Sequence, residues 1–172
     1  SEMCIRDRDN TPSGMFDLFK NTKDFELPNE EDESLVLHTS GTTSRPKIVP
    51  LSNKNIFSSS ENISSSLNLD ENDHCLNIMP LFHIHGLIAV LASSMKVGAS
   101  VCASSGFNAL KFLDLANSEK ISWYSGVPTM HQAILMRADK NLEIAKNLKL
   151  RFLRSSSASL PPAVFELSLI HI

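Results

Sequence analysis

Residues His74–Tyr124 read HCLNIMPLFHIHGLIAVLASSMKVGASVCASSGFNALKFLDLANSEKISWY. This stretch predicts three strands with a helix between each pair. His74–Met79 is a short apolar run stopped by Pro80, which suits a buried strand. Gly86–Met95 reads as an apolar helix, and Ala99–Ala103 as a strand of small and β-branched residues. Asn108 is placed to cap a helix over Ala109–Glu119, and Ile121–Tyr124 is the next strand. The rhythm continues downstream. Pro128 opens a helix to Ala138, Arg151–Arg154 is a strand, and Pro161-Pro162 introduce a final helix. Strands alternating with helices predict an α/β fold, a Rossmann-like parallel sheet with helices on both faces.

Sheets of this kind bind ligands beyond the carboxyl ends of their strands. The residues expected there are His83, His85 and Gly86 after the first strand, and Ser104, Ser105 and Gly106 after the second. Ser125 and Gly126 follow the third, and Ser155, Ser156, Ser157, Ala158 and Ser159 follow the fourth. Four consecutive strand ends carry small, hydroxyl or imidazole groups, so together they predict one polar cleft.

Upstream, Leu35–Leu51 reads LVLHTSGTTSRPKIVPL. A strand, Ser34–His38, leads into Thr39, Ser40, Gly41, Thr42, Thr43 and Ser44, and Arg45, Pro46 and Lys47 follow. The hydroxyls, one glycine and two cations suit an anion with several oxygens, such as a nucleotide triphosphate. It is not a Walker A loop, because Pro46 and Ile48 stand where that motif needs glycine and a hydroxyl. An ordinary Ser/Thr-rich turn between strands is the other reading of the loop alone. Ile48–Leu51 is expected to be extended. Ser52 should cap an amphipathic helix, Asn53–Leu67, whose buried stripe is Ile56, Ile63 and Leu67.

The 172 residues suffice for one domain with a sizeable core. A net charge of −3 gives no electrostatic reason to expect nucleic acid or an anionic membrane. No apolar run is long enough for a membrane span. Three scattered cysteines form neither a disulfide framework nor a metal knuckle; Cys75 and Cys102 read as core thiols of a reducing compartment. Ser1–Arg8 and Leu167–Ile172 resemble translated sequencing-adapter DNA and are set aside, so the chain is expected to be an internal fragment. Residues 9–33 read as an acidic linker and 34–166 as the partial domain that carries function.

His83-Ile84-His85 has the spacing of a metal pair on one strand face, which keeps a zinc hydrolase open. The other readings are structural histidines, or an anion contact in which His83 is favoured because it directly follows Pro80-Leu81-Phe82. His131, inside an apolar helix, reads as structural.

HTSGTTSRPK, MPLFHIHGL, WYSGVPTMHQ and LRFLRSSSASLPP, in this order, resemble the landmarks of the adenylate-forming acyl-CoA synthetase superfamily. Their wording is most similar to the oxalate–CoA ligase and peroxisomal CoA synthetase branch. The resemblance implies an AMP-forming acid–CoA ligase that uses ATP, Mg2+ and coenzyme A to activate a small carboxylate, with oxalate leading. It also implies a cytoplasmic or peroxisomal protein, and leaves oligomeric state open. By motif match, Thr39, Ser40, Gly41, Thr42, Thr43 and Lys47 would hold the triphosphate. His83 would be the catalytic residue beside the acyl group and α-phosphate, and Ser157, Ala158 and Ser159 would line the adenine and acyl group. No resident metal site is expected. Ser44 and Ile48 depart from the glycines usual in the family. The ribose-binding aspartate and catalytic lysine of such enzymes would lie beyond Glu166, so this chain alone is expected to be inactive. The rivals are a kinase or NTPase, the zinc hydrolase, and a non-catalytic binding domain.

Overall fold

The computed structural model describes residues 28–39 and 47–169. Two strands come first: β1 (Glu33–Thr39) and β2 (Lys47–Ser52). They pair antiparallel, with Leu37 opposite Val49, His38 opposite Ile48 and Thr39 opposite Lys47. They therefore form their own two-stranded sheet and stand outside the parallel one. Ile48 lies within β2, where a β-branched residue is at home. Ser52 caps α1 (Asn53–Ser66) through a reciprocal box with Asn55, which satisfies donors of the first turn.

The main sheet has strand order β4-β3-β5-β6 and is parallel throughout. Its strands are β3 (His74–Asn77), β4 (Ser100–Ala103), β5 (Trp123–Gly126) and β6 (Phe152–Ser155). Central β3 and β5 are almost wholly buried, whereas β4 and β6 at the edges are not. Two-sided burial is why adjacent residues Cys75-Leu76 and Trp123-Tyr124 are both apolar instead of alternating with polar ones.

Side-chain alternation distributes these strands between two cores. On one face Cys75 and Trp123 pack with Leu69 and Val90, and the Trp123 ring stacks on Phe152 at 5.2 Å. A π-helix (His85–Ala92) and α2 (Ser93–Lys96) carry the chain across this face from β3 to β4. On the other face Leu76 and Tyr124 meet α3 (Ala109–Ser118), α4 (Pro128–Ala138) and α5 (Leu142–Asn147). Phe112 meets Tyr124 edge-on at 4.7 Å. Helices thus cover both faces, as the alternation predicts. The expected helix Gly86–Met95 is present, but its first two turns are π-helical. Short α5 was not foreseen. α6 (Pro162–Leu169) continues past the boundary expected at Glu166, and Ser168 within it is buried.

At the amino ends of the strands, Asp73 is 4% exposed and holds three strands in register. It accepts from Arg151 Nε (3.1 Å) and Nη2 (2.5 Å), from Ser122 Oγ (2.8 Å) and from the Asp70 amide (3.0 Å). Burial alone would raise its pKa. The hydrogen bonds from Arg151, Asp70 and Ser122, with the Arg151 charge, outweigh that and hold it below the ordinary carboxylate value.

Candidate functional site

The order β4-β3-β5-β6 places a reversal at the sheet centre. The chain leaves β3 toward β4, but leaves β5 toward β6 on the other side. Outgoing loops part there and open a crevice above the carboxyl ends of β3 and β5.

The loop after β3 is drawn tightly back. The Asn77 side chain accepts from the Met79 amide at 3.1 Å, the His83 amide donates to the Pro80 carbonyl at 3.2 Å, and Leu87 N donates to His83 O at 2.9 Å. Gly86 makes this possible, because a Cβ there would lie 2.5 Å from Pro80 O and 2.8 Å from Met79 O. The π-helix begins one residue earlier, and its first side chain, His85, is turned inward and buried. Wide helical turns recur at functional sites because they re-aim side chains.

His85 bridges three elements. Its Nε2 is 2.7 Å from Ser125 Oγ at the end of β5, and its Nδ1 is 3.0 Å from Ser157 Oγ beyond β6. Arg154 Nη1 lies 3.1 Å from Ser125 Oγ and 3.3 Å from His85 Nε2. Burial, and then the neighbouring Arg154 charge, push the His85 pKa down to about 4, so the ring is neutral near pH 7. Since Arg154 only donates, a consistent network has Nδ1–H donating to Ser157. Nε2 then accepts from the Ser125 hydroxyl, whose oxygen accepts from Arg154. Ser157 has φ +70°, a left-handed conformation that costs a non-glycine residue energy.

The other expected site residues are distributed as follows. His83 is exposed, with its ring 4.9 Å from that of Phe82. Ala158 and Ser159 are exposed beside Ser157. Thr39 and Lys47 are paired across the antiparallel strands β1 and β2. Ser40, Gly41, Thr42 and Thr43 lie outside the described residues. Ser104 is occupied by the strand itself, donating to Asn77 O at 3.0 Å and Gly106 O at 3.1 Å.

His83 and His85 do not act as a pair: one is exposed, and the other has both ring nitrogens engaged by hydroxyls. That geometry gives the zinc-hydrolase reading no support. His131 is buried, and its Nδ1 lies 3.0 Å from Tyr124 OH. Its Nε2 sits near the Gly126 and Arg154 carbonyls without a hydrogen bond of good geometry. The thiol of Cys75 is wholly buried and its pKa is raised by burial, so it stays protonated and inert. Arg154 escaped the sequence reading; its one signal was a cation inside an otherwise apolar strand.

A doubly wound sheet with a hydroxyl, imidazole and guanidinium cluster at its reversal point defines a small-molecule-binding α/β domain. A family model described as "AMP-binding enzyme" matches residues 3–168, and the chain belongs to that family. It is 47% identical over 142 residues to the oxalate–CoA ligase of Arabidopsis thaliana, covering 81% of this chain and 27% of that protein. It is 40% identical over 150 residues to the oxalate–CoA ligase of Saccharomyces cerevisiae, covering 86% and 27%. Among solved structures, a malonyl-CoA ligase with methylmalonyl-CoA and AMP bound superposes with TM-score 0.75 at 29% identity, covering 83% of this chain and 31% of that one. ATP-bound MatB from Rhodopseudomonas palustris gives TM-score 0.74 at 26% identity, covering 84% and 28%. The chain therefore spans little more than a quarter of the length of these relatives. The family assignment leaves the kinase alternative without support.

Proposed function

We propose that the full-length protein is an ATP-dependent, AMP-forming acid–CoA ligase whose acid is a short carboxylate, with oxalate leading. The observation that carries this reading is the polar cluster of His85, Ser125, Arg154 and Ser157 at the reversal point of an AMP-binding-family domain. The likeness to two proteins named oxalate–CoA ligase supports the choice of acid.

In the first step a carboxylate oxygen attacks the α-phosphorus of ATP, and pyrophosphate leaves from that phosphorus. In the second the thiolate of coenzyme A attacks the acyl carbon, and AMP departs with the C–O bond. Catalysis of the first step needs the β- and γ-phosphates clamped and the charge on the α-phosphate offset. Thr39, Ser40, Gly41, Thr42, Thr43 and Lys47 would supply hydroxyls, amides and one cation to the phosphates. His83, exposed and free to turn, would contact the α-phosphate and the attacking carboxylate. Ser157, Ala158 and Ser159 would lie along the adenine and acyl group, and the strained backbone at Ser157 fits a loop held open for a ligand. No group of three ligating side chains occurs among the described residues. Magnesium would arrive on the nucleotide phosphates, which suit a hard ion that keeps several waters. No helix among the described residues is long and apolar enough to cross a membrane; a cytoplasmic or peroxisomal location is part of the proposal.

The test is oxalate-dependent exchange of labelled pyrophosphate into ATP by the full-length protein, with the nucleotide product identified. AMP and pyrophosphate are expected. Release of ADP would replace this reading with phosphoryl transfer, and binding of ATP without turnover would make the domain non-catalytic.

A further inference from the structure

β6 and its approach carry two arginines, and the structure treats them oppositely. Arg151 presents Nε and Nη2, one edge of its guanidinium, to the carboxylate of Asp73. Arg154, at the carboxyl end, has no carboxylate partner among the described residues. Its contacts are Nη1 to Ser125 Oγ and to His85 Nε2, both uncharged. No described residue bonds to its Nε or Nη2, the same edge that Arg151 gives to Asp73. A partly buried cation next to a neutral imidazole, with a side-on fork unfilled, is a site for a planar anion with two oxygens. Burial also lowers the Arg154 pKa, because desolvation disfavours the charged form.

We infer that Arg154 receives the second, non-reacting carboxylate of a short dicarboxylic substrate, side-on through Nε and Nη2, while Ser125 and His85 hold the guanidinium in place. This rests on the ligase reading above and adds to it the residue that separates a dicarboxylate from a monocarboxylate. A monocarboxylate of similar size would leave the fork empty, and an apolar acyl chain would bury a cation without a partner. Discrimination would therefore come from a penalty as well as from an attraction.

The experiment is pyrophosphate exchange by the full-length protein with oxalate and with glyoxylate, comparing wild type, Arg154→Met and Arg154→Lys. For Arg154→Met the expected result is a loss of roughly 10- to 100-fold in kcat/KM for oxalate, the range for a charge-assisted bond. The loss should fall on KM for oxalate, with KM for ATP unmoved and the preference for oxalate over glyoxylate abolished. Arg154→Lys should restore part of the preference, since it keeps the charge without the fork. In wild type, oxalate should also protect Arg154 from phenylglyoxal, read by peptide mass spectrometry, and this stands even where a variant fails to fold. Wild-type exchange with an unchanged oxalate preference in Arg154→Met overturns the inference. A rise in KM for ATP alone, or no protection by oxalate, does the same. Absence of any carboxylate-dependent exchange in wild type removes the ligase reading itself.

Discussion

Gly86→Ala is the substitution on which the geometry makes the sharpest demand. The new Cβ would sit 2.5 Å from the Pro80 carbonyl oxygen, about 0.9 Å inside ordinary van der Waals contact, and 2.8 Å from that of Met79. Both obstacles are backbone, so no side chain can rotate away. The loop or the π-helix must move as a unit. Overpacking of this kind costs ~1–3 kcal/mol. Against it stands a helical preference of alanine over glycine of ~1 kcal/mol. The clash wins, because a rigid loop tied by Asn77, His83 and Leu87 cannot absorb the displacement cheaply. A net loss of about 1–2 kcal/mol is expected, roughly five- to thirtyfold in the folding equilibrium. Urea denaturation of the full-length variant should show a lower midpoint at constant slope. His85 is the adjacent residue, so its ring should be drawn off Ser125 and Ser157. Its titration, followed by NMR, should move up from about 4 toward the ordinary histidine range. An unchanged midpoint with an unchanged His85 titration would refute the close approach and the argument built on it.

Asp73→Asn should lower stability by roughly 1.5–3 kcal/mol, because a buried carboxylate loses its charge-assisted bonds to Arg151. The wild-type carboxyl is held below its ordinary value, so its contribution is present above pH ~4 and lost as pH falls through the folded value; the variant should lack that acid limb. His85 is neutral in the fold with a pKa of about 4, so stability should also fall as pH drops from ~6.5 toward 4. His85→Phe should flatten that window in a pH series of denaturation curves, and an unflattened curve would place the titration elsewhere. Lys47→Ala should raise KM for ATP in pyrophosphate exchange by about tenfold or more, the loss of one charged phosphate contact; unchanged kinetics would detach Lys47 from nucleotide binding. Adenylate formation by His83→Ala should fall without loss of stability, as befits an exposed side chain, whereas His85→Ala should lose both. Equal stability of the two variants would contradict the burial that separates them.

Much of the architecture is local and therefore legible in residue order. Ser52 and Asn108 cap because their side chains accept from amides two or three residues on, and Pro128 stands at a helix start where its missing N–H costs nothing. Adjacent apolar pairs at Cys75-Leu76 and Trp123-Tyr124 announce two-sided burial, and strand–helix alternation then leaves a parallel sheet. The π-helix was not legible, since eight residues this uniformly apolar show no polar face from which a period could be read. Nor was α5, whose six residues are too few to show a period of their own. The antiparallel pairing of β1 with β2 was not legible either, because neither strand names its partner.

The site divides the same way. Sequence alone placed hydroxyls and imidazoles at the strand ends, because a strand followed by a small polar loop is a local pattern. It could not tell which histidine of His83-Ile84-His85 turns inward. That depends on how far Gly86 lets the loop close on Pro80, and on Ser125 and Ser157 arriving from strands 40 and 72 residues away. The arginine before the last strand and the one within it are alike in sequence. Only the assembled sheet brings Asp73 to Arg151 and leaves Arg154 facing uncharged partners, because charge compensation is decided by distance in space.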